Sequence, residues 1–169
     1  MSTQVGGRGG LMEKLYERLT ALLGEQYDSP AFRNFVLELG LEPIVVAIGA
    51  DLDVTFPELG VSFRTWTGAI SAVCMHIDTP STPKLLKSYD GDFLAGITPR
   101  DSSEIVKKKL GMEPSNTRRR PRYSNAEWDL CELYDIGNFR VSFSFDGVTG
   151  SMYYAAVYIR TPGKSEEEL

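Results

Sequence analysis

Histidine is almost missing from this chain: His76 stands alone among 169 residues. That scarcity excludes a histidine-rich zinc site and the H-E-x-x-H pair of a metalloprotease. Any Ser-His-Asp or Cys-His nucleophile system has to use His76 itself. His76 alternates with Met75 and Ile77, which reads as a half-buried sheet histidine rather than a catalytic base. Cysteine is nearly as rare. Cys74 and Cys131 lack metal-type spacing and fall inside strand-like runs, away from the exposed turns and helix starts that lower a thiol pKa, so both read as buried free thiols. A disulfide between them requires that their strands be neighbours. Long apolar runs are absent: the longest, Leu41 to Ile48, is broken by Glu42 and Pro43, so no membrane span is expected. The opening Met1–Gly10 has no apolar segment of the kind a secretory signal needs, which makes a cytoplasmic location the expectation. There is no Walker-type loop, and Gly6-Gly7-Arg8-Gly9-Gly10 has no preceding strand to anchor a dinucleotide. No cofactor is expected.

What is present is ordinary globular composition, with 42% hydrophobic and 24% charged residues. Eighteen Lys and Arg against 23 Asp and Glu leave a net charge of −5, which disfavours general nucleic-acid binding but permits a local basic face. Such a face is concentrated in one stretch. Lys107, Lys108, Lys109, Arg118, Arg119, Arg120 and Arg122 are opposed by Glu113 alone. The stretch attracts polyanions, either nucleic acid through phosphate contacts or an acidic protein surface. No aromatic residue interleaves with the arginines until Tyr123, as single-strand binding prefers, and a solvated loop over 111–125 is the plain alternative. The acidic pairs Asp51 with Asp53 and Asp90 with Asp92 have the spacing of a cation site or an acid-base pair. They fit a wet strand face and a turn better.

A five-residue stretch organises the rest. Leu110-Gly111-Met112-Glu113-Pro114 nearly repeats Leu39-Gly40-Leu41-Glu42-Pro43, and in each copy glycine stops a helix and proline prevents its resumption. After each copy the period changes from helix to strand. A first amphipathic helix runs from Leu11 to Gly24 on Leu11, Leu15, Leu19 and Leu22, and a second, capped at Asp28-Ser29-Pro30, buries Phe32, Phe35, Val36 and Leu39. Ile44 to Ile48 reads as a buried strand, 51–56 as a strand wet on one face, and 61–66 with 69–77 as a hairpin about Thr67-Gly68. A later short helix, capped through Thr98 or Asp101, turns Ile105, Val106 and Leu110 inward. Phe139, Val141, Phe143 and Phe145 then alternate with Arg140, Ser142 and Ser144, which leaves one face aromatic and the other polar. The expected organisation is a flexible arm (1–10), a first helix-sheet unit (11–80), a packed connector (81–97), a second helix-sheet unit (98–162) and a charged tail (163–169). The fold class is α+β: two tandem helix-plus-antiparallel-sheet units form one body, with the helices on one side of the sheet.

Gly96-Ile97-Thr98-Pro99, Val106 with Leu110-Gly111 and Pro114, the run Trp128 to Tyr134 and the hairpin Phe139 to Ile159 carry a resemblance. In these residues the chain resembles the β-lactamase-inhibitor-protein-like group, the related SmpA-like lipoproteins, and small bacterial proteins of immunity type. The likeness is good over about half the chain. It departs from the secreted inhibitors in lacking their local disulfides and from the lipoproteins in lacking a lipobox cysteine. The resemblance implies binding through a sheet face and its loops, without chemistry. The expected function is therefore a non-catalytic, protein-binding inhibitor or immunity-type protein whose partner is a toxin or enzyme with an acidic surface. Trp66, Tyr153 and Tyr158 are the expected contact aromatics on the open side of the sheet, where Trp128, Tyr134 and Tyr154 also qualify, and Arg118, Arg119, Arg120 and Arg122 the electrostatic guides. The alternatives are a nucleic-acid-associated module using the arginines and a small hydrolase working through carboxylates.

Overall fold

The computed structural model describes residues 14–77, 86–121 and 128–160. Along them run α1 (Leu15–Ala21), α2 (Pro30–Leu39), β1 (Ile44–Ile48), β2 (Asp51–Phe56), β3 (Val61–Trp66) and β4 (Ala69–His76). A 3₁₀ turn (Leu94–Gly96), α3 (Ser103–Leu110), β5 (Asn116–Pro121), β6 (Trp128–Ile136), β7 (Phe139–Phe145) and β8 (Met152–Ile159) follow. The class is α+β. All eight strands join one antiparallel sheet in the order β1-β2-β3-β4-β8-β7-β6-β5. β4 and β8 meet at its centre, in register from Ala72 opposite Tyr158 to His76 opposite Tyr154, and β1 and β5 form its two edges.

Local chemistry explains the helix ends. The Ser29 hydroxyl accepts the Phe32 N–H, Pro30 occupies the first turn, and Gly40 closes α2 in the left-handed conformation at φ 62°. Gly111 closes α3 in the same way at φ 65°. At its start, however, α3 uses neither expected cap. Ser102 accepts the Ile105 N–H, while the Asp101 carboxylate accepts the Thr98 N–H at 2.9 Å and pairs with Lys109 at 2.7 Å, bracing the turn before the helix. α1 is shorter than its apolar period implied, and its expected first residues lie outside the described ones.

The helices share one face of the sheet. Phe32 and Phe35 of α2 set their rings edge-on to Phe63 of β3 at 5.5 and 6.0 Å, with Phe56 of β2 completing the cluster. Each such pair adds about 0.5–1.5 kcal/mol beyond the area it buries. Tyr16 of α1 meets Phe93, and Phe93 meets Phe143 of β7. α3 buries Val106, but its Ile105 is 42% exposed and does not face inward as its spacing implied, because the helix is short and only one of its faces meets the sheet. A polar tie replaces it: Glu132 of β6, 1% exposed, accepts from the Ser103 hydroxyl at 2.6 Å and the Tyr134 hydroxyl at 3.0 Å, with Lys107 at 3.3 Å. Partnered in this way, a buried carboxylate fastens α3 to the sheet instead of destabilising it. The connector docks as expected where it is described, with Tyr89, Phe93 and Ile97 buried. Its residues 81–85, the Thr79-Pro80 and Thr161-Pro162 ends, and both terminal segments lie outside the described residues.

Two strands depart from the sequence reading. Ile44–Ile48 is a strand but not a buried one: every residue of β1 is exposed, because it lies beyond β2 at the sheet edge. The arginine stretch is not a loop. Asn116–Pro121 is the opposite edge strand, where one ladder is missing and charged side chains and proline are tolerated.

Candidate functional site: the open face of the sheet

Alternation sends one set of side chains from each strand to the face that carries no described helix. Cross-strand register assigns that face to Asp53 and Thr55 (β2), Ser62, Arg64 and Trp66 (β3), Ala72, Cys74 and His76 (β4), Tyr154, Ala156 and Tyr158 (β8). It continues through Arg140, Ser142 and Ser144 (β7), Asp129, Cys131 and Asp135 (β6), and Asn116, Arg118 and Arg120 (β5). An irregularity at Ser144/Phe145 turns the extra residue, Tyr153, toward Ser144 and Asp129 on the same face.

The face has a floor and a rim. Ala72, Cys74, Ser142, Ser144 and Ala156 are buried although no described helix covers them, because the long tyrosines lie across them. The Tyr158 hydroxyl bonds to Ser142 and Tyr154, Tyr154 to Cys74, and Tyr153 to Ser144 and Asp129. Burial pushes all three tyrosine pKa values up, and Cys74 adds to the rise at Tyr154 and Tyr158. Burial also raises the Cys74 thiol, so it is protonated and unreactive at neutral pH. Cys74 and Cys131 are buried free thiols as expected, and strands β8 and β7 separate them, so they do not form the disulfide that neighbouring strands would allow.

His76 terminates a hydrogen-bonded chain. Its Nε2 lies 3.1 Å from the Ser62 Oγ, Ser62 meets Thr55 at 2.9 Å, and the Thr55 hydroxyl donates to Asp53 at 3.0 Å. Burial lowers the His76 pKa, partly opposed by Asp53 and reinforced by Arg64. The carboxylate thus joins at the hydroxyl end of the chain, whereas a nucleophile triad sets its acid against the imidazole. The chain links β2, β3 and β4 laterally, and burial is what favours the neutral imidazole.

The expected contact residues fall into three groups. Trp66 is 56% exposed on the open face, opposite Ala69, beyond the Arg64/Thr65 irregularity at which Ser71 of β4 is the extra residue. Tyr153 and Tyr158 share the face but are half-buried, so they present edges and hydroxyls more than whole rings. Tyr134 belongs to the core under the helices, not to the open face, since it pairs with Val141 and is fully buried. Of the arginines, Arg118 and Arg120 point to the open face, opposite Cys131 and Asp129, while Arg119 sits opposite Leu130 on the helix face. Arg122 and the side chain of Trp128 lie outside what is described. Sequence reasoning missed Arg64, exposed between Ser62 and Thr65 and 3.5 Å from Asp53. The alternation of β3 is the signal that could have found it.

Asp51 and Asp53 occupy a strand and Asp90 and Asp92 a loop, and among the described residues no group of three or more His, Cys, Asp or Glu side chains is placed to hold a metal ion. No described helix is long and apolar enough to cross a membrane.

No protein-family model matches the chain, and no curated protein matches it. Among solved structures it is similar to an extracellular protein containing a SCP domain from Bacillus anthracis str. Ames. That likeness has 11% identity and a TM-score of 0.50, over 94% of this chain and 49% of that one. It is also similar to a cysteine-rich secretory protein from Staphylococcus aureus subsp. aureus Mu50, with 8% identity and a TM-score of 0.48, over 83% of this chain and 44% of that one. The chain spans about half the length of these structures or less, and at such identity the Bacillus likeness is one of fold alone.

Proposed function

We propose that the chain is a non-catalytic binding protein that holds another protein against the open face of its sheet, in the manner of a cytoplasmic inhibitor or immunity-type protein. One observation carries this reading: Trp66, Arg64, Tyr154, Tyr158, Tyr153, Arg118 and Arg120 occupy one sheet face that no described helix covers. Trp, Tyr and Arg are the residue types that dominate binding energy at protein interfaces. The tyrosines are already fixed by their hydroxyl bonds, so little side-chain freedom remains to be lost on docking. Arg118 and Arg120 on β5 give one side of this face a positive character in a chain of net charge −5, which suits an acidic partner surface.

The finer architectural reading belongs here as well. Four successive strands follow the α1–α2 pair and four follow α3, and the last strand of each run meets the other at the sheet centre, which supports two tandem helix-sheet units. A plan of this kind is what the resemblance to the β-lactamase-inhibitor-protein-like group implies.

The arginine pattern supplies the test. Arg118→Ala with Arg120→Ala removes charge from the open face, and Arg119→Ala removes it from the other face of the same strand. Partner captured from a lysate of the native host should fall with the first pair and with Trp66→Ala, and persist with Arg119→Ala. Equal loss from all three arginines, together with binding of labelled oligonucleotides that weakens steeply with salt, would replace this reading with the nucleic-acid one.

A further inference from the structure

The edge strand β1 presents a surface that suits only a few occupants. Five of the ten large apolar side chains standing exposed among the described residues fall between positions 37 and 48: Leu37, Ile44, Val45, Val46 and Ile48. An uncharged, β-branched edge of this kind is a template for strand addition, and proteins ordinarily block it with charge or proline. The opposite edge is blocked in that way, by Arg118, Arg119, Arg120 and Pro121 in β5. β1 has no such guard.

We propose that β1 pairs antiparallel with β1 of a second copy of this chain, about a twofold axis through Val46. The sequence of the strand is close to palindromic. Centred on Val46, Ile44-Val45-Val46-Ala47-Ile48 sets Ile44 against Ile48, Val45 against Ala47, and Val46 against itself, so every opposed pair is apolar. Backbone polarity agrees with that centre. β1 and β2 are joined by the two-residue turn Gly49-Ala50, and in such a hairpin the closing pair, Ile48 with Asp51, exchanges both backbone bonds. By alternation Val46 and Ile44 also bond inward to β2, which leaves the N–H and C=O groups of Val45 and Ala47 pointing out of the sheet edge. Pairing about Val46 matches Val45 with Ala47 of the second copy, and Ala47 with its Val45, and so satisfies all four outward donors and acceptors. Pro43 has no N–H to extend the ladder, so the pairing ends with the strand.

Charge selects a second copy over a head-to-tail chain of copies. Pairing β1 with β5 of another molecule would lay arginines and a proline along an apolar strand, and would propagate without closure. The strand pair alone buries less than the ~1,000 Å² that a stable interface needs. Exposed Leu37 and a shallow apolar groove of 410 Å³ lined by Tyr27, Phe32, Val36 and Pro43 adjoin the strand through Pro43 and enlarge the patch.

Sedimentation velocity over a dilution series tests this on the full chain. The mass should rise from 18.8 kDa toward twice that value with concentration. Val46→Lys, at a position already exposed, should keep the far-UV spectrum and raise the dimer dissociation constant at least about tenfold, since it opposes two like charges at the axis. Val46→Cys should form an interchain disulfide on mild oxidation, because the axial pair is a closely spaced non-hydrogen-bonded one, while Ile44→Cys should not. Cys74 and Cys131 are buried and do not compete. A monomer at every concentration, a dimer indifferent to Val46→Lys, or cross-linking by Ile44→Cys in place of Val46→Cys would overturn the proposal. So would slow amide exchange of Val45 and Ala47 in a monomer, which would place another segment of the same chain on that edge.

Discussion

Replacing Gly60 by alanine isolates how tightly the connector is held against the sheet. Gly60 lies in the β2–β3 turn at φ 66°, and a Cβ there would stand 2.2 Å from the Lys87 carbonyl oxygen, 2.7 Å from the Tyr89 nitrogen and 3.0 Å from the His76 carbonyl oxygen. All three are backbone atoms and cannot rotate away. The same place is stitched by His76 N–H to Gly60 C=O at 2.8 Å and Tyr89 N–H to His76 C=O at 2.7 Å. Left-handed φ costs an alanine about 1–2 kcal/mol. Relieving the contacts requires a shift of close to 1 Å, enough to lose both hydrogen bonds at about 1 kcal/mol each. The expected loss is about 3–4 kcal/mol for Gly60→Ala. Gly137→Ala is the control, with φ 60° and nothing within 4 Å of the added carbon, and should cost about 1–2 kcal/mol. With a urea m-value of ~2–3 kcal/mol/M, the first variant loses ~1–2 M in midpoint and the second about 0.5 M. Equal losses in the two variants would refute the close approach of residues 87–89 to the turn.

Other perturbations have equally definite outcomes. The lowered pKa of His76 makes the unfolded chain bind more protons as pH falls below about 6.5, so stability declines as pH drops from there through the folded value. His76→Asn should flatten that slope in urea unfolding followed against pH. Burial raises Tyr16 to about 12 and pushes Tyr89, Tyr134, Tyr153, Tyr154 and Tyr158 up as well, so the contribution of these tyrosines to stability is constant below about pH 10 and is lost above it. Phenolate absorbance should show these six ionising late, together with loss of far-UV signal. Ser103→Ala takes a 2.6 Å donor from the buried Glu132 carboxylate and should cost about 1–3 kcal/mol in the same unfolding assay, where an unchanged midpoint would contradict that role.

Much of the fold is written in local patterns. The glycine stops at 40 and 111, the Ser29-Pro30 start and the alternation of Phe139 to Phe145 depend on neighbours in sequence, and the structure has them where the spacing predicts. The misreadings concern position in the sheet, which periodicity does not carry. Ile44–Ile48 has a core composition but lies past the last strand that α2 covers, and the arginines of β5 tolerate a strand because an edge leaves one side of it to water. Ser142 and Ser144 alternate as expected yet are buried, since Tyr153 and Tyr158 of the neighbouring strand β8 close over them. For the candidate site, the sequence names Trp66 and the arginines. Only register assigns Arg118 and Arg120 to that face and Arg119 to the other, whereas Arg64 was legible in the alternation of β3.

The most direct measurement of the binding reading compares amide exchange in the chain alone with exchange in complex with its captured partner. The account predicts added protection at residues 62–66, 153–158 and 116–120 in the complex. It also predicts that Arg118→Ala with Arg120→Ala lowers the association rate and its salt dependence while Arg119→Ala leaves both unchanged. Protection confined to the α1–α3 side, or indifference to which arginine is removed, would contradict it.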